Sequence, residues 1–252
     1  MPKIYLINVG ANLAHRSLAR SPIYSNGNFK YVSFPDDEGR QSYPKDVSRY
    51  RSPNCPGLTH LDPDWLNLTY GDNCANPRAC ALLNAEPSDI LLFWGLLWRN
   101  SGDGWSGWTG ERGWYLIGAL RIEEILEAGD PVSKAKAANR DRARLNAHVS
   151  HGHVVSKPKR VDRLFIGFTR FSALFEKAVD FGIGRTDSLF QRTIYTAGGQ
   201  AINWRTPPRW NSVVRSCRAV WDLNDPAGRR RVRTVREAIR RKNPQFDLLA
   251  GL

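Results

Sequence analysis

Asn12, His15, Arg20 and Ser21 crowd one short stretch, INVGANLAHRSLARSPIYSNGNF, running from Ile7 to Phe29. Between them they offer an amide, an imidazole, a guanidinium and a hydroxyl, a set able to hydrogen-bond a phosphate or the edge of a base. They follow a hydrophobic strand, and ligand crevices commonly form in loops at strand ends. GANLAH is not GxGxxG, so a dinucleotide-binding fingerprint is absent. A loop hydrogen-bonded only to itself is the alternative, and residue types alone leave the two open.

A second group lies in LDPDWLNLTYGDN, Leu61 to Asn73. Asp62, Asp64 and Asp72, with His15 or His60, are the residue types of general acid-base chemistry or of a Mg²⁺ site. Asp64 and Asp72 are explained equally well as turn and cap residues. No nucleophile is paired with a base, so His15 and Asp72 are candidates for catalysis without an assigned reaction. Tyr70 adds a ring and a hydroxyl beside Asp72. His148, His151 and His153 in HVSHGH place imidazoles on one extended segment, as a metal site requires. No cysteine or evident carboxylate accompanies them, so no metal and no cofactor is expected. Cys55, Cys74, Cys80 and Cys217 have no paired CxxC spacing, which removes a zinc ribbon and a redox motif.

Aromatic and basic residues form the third group. Trp94, Trp98, Trp105, Trp108 and Trp114 fall within 21 residues. Trp94 and Trp114 belong to apolar runs and are expected in the core. Trp98, Trp105 and Trp108, flanked by Gly, Ser and Arg99, are candidates to stack on a base. The chain has 37 Lys+Arg against 24 Asp+Glu, a net charge of +13. Much of that excess lies in the last fifth, where RRRVRTVREAIRRK sets Val232, Val235 and Ile239 at helical spacing. Arg229, Arg230, Arg231, Arg233, Arg236, Arg240 and Arg241 then form a charged face whose self-repulsion a phosphate backbone relieves. A solvated face is the alternative.

Positioning these groups falls to a chain of 252 residues that is 41% hydrophobic, enough to bury a real core. No apolar run reaches membrane-spanning length and no signal-peptide pattern opens the chain, so a cytoplasmic protein without a membrane partner is expected. KIYLINV (3–9) reads as a buried strand and FKYVSF (29–34) as a second. NPRACALLNA (76–85) has helical spacing with a Pro at its first turn. ILLFWGLL and WYLIGALRIEEIL (114–126) are apolar strands joined by a Gly- and Trp-rich loop, a β-hairpin with a long tip. AKAANRDRARLNAH (135–148) reads as a helix, RLFIGFT (163–169) as a strand and FSALFEKAV as a helix. Strands and helices mix without strict alternation, which predicts α+β. One domain spans 1–252, with a core over 1–204 and a basic region over 205–252.

INVGAN with His15 and RSPIY, then LDPDW with LTYGD, then SDILLFWGLL and WYLIGALRIEEIL, resemble the nucleotide modification associated domain 3 family, in the same order over most of residues 3–170. The hairpin is similar to the EVE, ASCH and wider PUA-like β-barrel group. The resemblance implies a PUA-like barrel core with flanking helices, and a role beside systems that install or recognise modified DNA bases, often in phage defence. It brings no catalytic residue with it. Asn8, Gly10, Asn12, His15, Arg20, Ser21, Pro22, Asp62, Thr69, Tyr70, Gly71 and Asp72 carry over as pocket positions. The chain departs from the short PUA-like pattern in its basic C-terminal region and its Trp-rich tip. The resulting expectation is a protein that binds nucleic acid, DNA before RNA, and recognises a nucleobase, alongside partner proteins of a modification or defence system. The alternatives are an enzyme that modifies a base through His15 and an Asp, and an interaction subunit that docks an acidic protein.

Overall fold

The computed structural model describes residues 1–36, 41–74, 79–150, 162–182, 187–194 and 219–251. Its organising element is strand β7, Ile90–Asn100, whose sequence ILLFWGLLWRN is buried at nearly every position. A strand covered on both faces has no solvent side to alternate toward, which accounts for the unbroken apolar run. Strand β1 (Lys3–Asn8) pairs parallel with its first half and strand β2 (Ser21–Ile23) parallel with its second. Along the other edge runs β8 (Trp108–Glu127), antiparallel, from Ile90 opposite Arg121 to Asn100 opposite Trp108.

β8 is long enough to hold two further partners. Strand β9 (Asp162–Gly167) pairs with its C-terminal end and β10 (Ala173–Asp180) with its middle. Strand β6 (Thr69–Asn73) adds to β9, and β11 (Ala219–Asp222) adds to β1. The path is β11-β1-β7-β8-β9-β6. The sheet curls: the Tyr70 ring of β6 packs edge to face on Phe93 of β7, 5.2 Å between centroids, across the intervening β8 and β9. Its end strands β11 and β6 do not pair, so no closed barrel is found among the described strands. A small sheet of β3 (Phe34–Pro35), β4 (Gln41–Ser42) and β5 (Leu58–His60) stands apart in the order β3-β5-β4.

The architecture is mixed α+β, with short helices α1 (Lys45–Ser48), α2 (Arg140–Leu145), α3 (Ala147–Ser150) and α4 (Leu189–Ile194), and one long helix, α5 (Pro226–Lys242). α5 starts where Asp225 accepts hydrogen bonds from the Ala227 and Gly228 amides and Pro226 takes the first turn, where its missing N–H is not needed. Val232, Val235 and Ile239 are buried in the same core cluster as β1 and β7. No described helix is long and apolar enough to cross a membrane.

Three local expectations change. FKYVSF is a strand only at its end, Phe34–Pro35. Before that, Val32 bonds through its amide to Ser21 Oγ and through its carbonyl to the Ala11 amide, so loop contacts replace a ladder. FSALFEKAV is strand β10 and not a helix, because the open edge of β8 takes it up through antiparallel pairing from Ala173 opposite Ala119 to Asp180 opposite Tyr115. The helix expected over 135–148 is α-helical only over Arg140–Leu145, after a 3₁₀ turn at Ala137–Asn139, and it stops at Asn146, whose ψ of 143° ends α2. Asn146 is fully buried there, and its side chain serves the site described next.

Candidate functional site

The end of β1, the small sheet and β6 enclose a cavity of about 420 Å³ lined by Asn8, Gly10, Asn12, His15, Phe34, His60, Asp62, Tyr70, Gly71, Asp72, Asn73 and His148, with Val9. β1 delivers the chain to Gly10, whose φ of +79° only glycine adopts without strain. The chain then turns into a single 3₁₀ turn capped by Asn12, whose Oδ1 accepts from the Ala14 amide at 2.9 Å. The Asn12 amide in turn donates to Nδ1 of His15 at 3.3 Å. With Nδ1 accepting, a neutral His15 carries its proton on Nε2 and is a donor there.

His15 stacks on Phe34, centroids 5.5 Å apart and 16° between planes, and Phe34 stacks on His60 at 4.9 Å and 23°. His60 meets His148 edge to face, with the two Nε2 atoms 3.2 Å apart. Asp62 completes this corner, its Oδ2 3.7 Å from His148 Nε2. The other oxygen, Oδ1, accepts from the Gly71 amide at 2.9 Å and from Asn146 Nδ2 at 3.0 Å. Burial pushes the Asp62 carboxyl well above the usual carboxylate range, against those two hydrogen bonds that pull it down. Across the cavity the Tyr70 hydroxyl donates to Asp72 Oδ2, and burial, reinforced by the Asp72 and Asp62 charges, holds the Tyr70 phenol well above its ordinary range.

Asn12 and His15 from one segment and Tyr70 and Asp72 from another, more than fifty residues on, therefore line one cavity. Arg20, Ser21, Trp98, Trp105 and Trp108 lie elsewhere. Ser21 is buried and exchanges hydrogen bonds with the Val32 backbone. The Arg20 guanidinium sits over three indoles, 4.7 Å from the Trp98 ring centre, 4.9 Å from Trp105 and 5.5 Å from Trp108, while Arg112 covers Trp98 at 5.0 Å. A guanidinium thus covers one face of each of the three rings. Asp64 is a turn residue, its carboxylate accepting from the Leu66 and Asn67 amides and from Asn67 Nδ2. On α5, Arg230, Arg233, Arg240 and Arg241 are exposed, and Arg231 is half-buried. Arg229 donates to the Leu223 and Asn224 carbonyls, and Arg236 is held by Asp247 through two hydrogen bonds. His151 and His153 lie outside the described residues.

Sequence reasoning misses Phe34 and Asn146, and it reads His148 only with its sequence neighbours. Nothing local marks Phe34 or Asn146. His60 and Asp62 carry a signal, since two residues apart in extended chain place side chains on one face. The partner of that pair, His148, is 88 residues beyond His60.

The site is a polar, ring-walled cavity at the end of the first strand of a curled α+β sheet. Residues 3–231 match the family described as nucleotide modification associated domain 3, and the chain belongs to that family. Membership associates it with nucleotide modification. No curated protein and no solved structure matches the chain.

Proposed function

We propose that the protein recognises a nucleobase of a nucleic acid, DNA in preference to RNA, in the cavity between His15 and Asp72. The observation that carries this reading is the convergence of Asn12, His15, Tyr70 and Asp72 on one space of about 420 Å³, a volume within the range of small-molecule sites. The stacked rings of His15, Phe34 and His60 form one side of the cavity, while Asn12, Asp72 and His15 supply edge contacts of the kind that read an extruded base. The exposed arginines of α5 add sequence-independent attraction to phosphates. The whole chain, 1–252, acts as one unit in this reading, and the long β7–β8 hairpin supports kinship with the PUA-like group. A modified base, partner proteins of a modification or phage-defence system and a cytoplasmic setting complete it.

A second reading, an enzyme that modifies a base, is favoured by His15, whose Nδ1 accepts from the Asn12 amide, and the Asp72 carboxylate lining the same cavity. The two readings separate in one experiment. Wild type, Asp72→Asn and His15→Ala are titrated with duplex and single-stranded oligonucleotides bearing ordinary or modified bases, and the products are analysed by mass. Recognition predicts that both variants lose discrimination between bases by about tenfold or more while keeping backbone affinity, with no mass change in the DNA. Unaltered discrimination in both variants contradicts it, and a mass change abolished by His15→Ala establishes the enzyme.

A further inference from the structure

We infer that His60, Asp62 and His148 form a binding site for one divalent transition-metal ion, zinc(II) or iron(II), in the wall of the cavity. One ligand atom from each lies within 4.8 Å of the other two. The Nε2 atoms of His60 and His148 are 3.2 Å apart and Asp62 Oδ2 is 3.7 Å from His148 Nε2. Ligands about 2.0–2.2 Å from a tetrahedral ion sit roughly 3.4 Å from each other, so the His60–His148 and His148–Asp62 separations already match that spacing to a few tenths of an ångström, and the third pair, within 4.8 Å, closes with a modest side-chain shift. Two imidazoles and a carboxylate select a borderline transition metal over Mg²⁺ or Ca²⁺, and three protein ligands leave positions open for water or substrate.

The surroundings are built to aim these groups. The two bonds from Gly71 and Asn146 to Asp62 Oδ1 leave Oδ2 as its ligating oxygen. Asn146 Oδ1 accepts from the His148 amide, so one buried side chain fixes both residues. Asp36 Oδ2 lies 3.7 Å from His60 Nδ1, a small shift short of the carboxylate-imidazole hydrogen bond that orients metal-bound histidines. Asp62 is 5% exposed, and among the described residues no lysine or arginine pairs with it. A buried carboxylate with no fixed cation beside it is costly when ionised, and a bound ion supplies the missing charge.

The inference stands apart from the nucleobase reading, because it is tested without nucleic acid. The full chain, stripped with a chelator, is titrated with Co²⁺ as a spectroscopic probe, then with Zn²⁺ and anaerobic Fe²⁺ in competition. The expected result is about one equivalent per chain, with a visible Co²⁺ band displaced by one of the two ions. Asp62→Asn keeps the bond from Gly71 and the shape of the side chain, and His60→Ala and His148→Ala each remove one ligand. All three weaken Co²⁺ binding by about tenfold or more, with far-ultraviolet circular dichroism confirming that Asp62→Asn is folded. Absence of stoichiometric binding by the wild type, or binding unchanged in folded Asp62→Asn, overturns the assignment and leaves a hydrogen-bonded histidine pair.

Discussion

Gly71 and His148 are packed so closely that a Cβ on Gly71 would stand 2.3 Å from His148 Cδ2 and 2.9 Å from its Cβ. The ring cannot swing aside to admit a methyl group, because its own Cβ is part of the contact. Strand β6 and the short helix α3 therefore approach through a glycine, and that approach brings His148 to Asp62.

Gly71→Ala is expected to destabilise the fold by about 1–3 kcal/mol, the usual cost of overpacking. It also displaces His148 from Asp62, so Co²⁺ affinity falls with stability. A urea midpoint and Co²⁺ affinity both equal to wild type would show the contact to be softer than the geometry requires.

Arg20→Ala removes the cation shared by Trp98, Trp105 and Trp108. A loss of about 0.5–2 kcal/mol is expected, with a shift in tryptophan emission as the rings rearrange. An unchanged emission maximum would mean that the guanidinium does not organise the three indoles.

The α5 arginines give the basic region a salt signature. Replacing exposed Arg230, Arg233, Arg240 and Arg241 with Gln is expected to reduce the slope of log affinity against log salt by about 0.9 for each phosphate no longer neutralised. A slope equal to wild type would remove α5 from the interface.

Arg236 donates twice to Asp247, and this lowers the Asp247 carboxyl below its ordinary range. A carboxyl depressed on folding adds stability above the unfolded value of about 4 and loses it as pH falls through the folded one. Both side chains are about one-third exposed, so solvent screening holds the expected contribution to about 0.5–1 kcal/mol. Asp247→Asn should therefore lower the urea midpoint at neutral pH and leave it unchanged near pH 2. An equal loss at both pH values would assign the effect to packing.

The parts of the fold legible in the sequence are those with one dominant local signal. The apolar run of β7 and the Val232, Val235 and Ile239 stripe of α5 each demand burial in a single way, and both are buried in the fold. FSALFEKAV fits a helical spacing equally well, and the open edge of β8, a nonlocal fact, makes it a strand. The helix over 135–148 carries no local breaker strong enough to predict its end. It ends because Asn146 leaves the helix to bond Asp62 and Thr69, which come from a distant loop and strand. The cavity divides in the same way: His15, Tyr70 and Asp72 are marked by residue type, whereas the meeting of His60 with His148 depends on chain folding across 88 residues.

Imidazole nitrogen resonances of His15 and His60, followed by NMR as an oligonucleotide is added, test the central claim most directly. Entry of a base into the cavity predicts that both rings shift together and saturate with the binding isotherm, because His15, Phe34 and His60 form one stack. Saturated binding with both resonances unmoved would place the nucleic acid elsewhere on the protein and contradict the account.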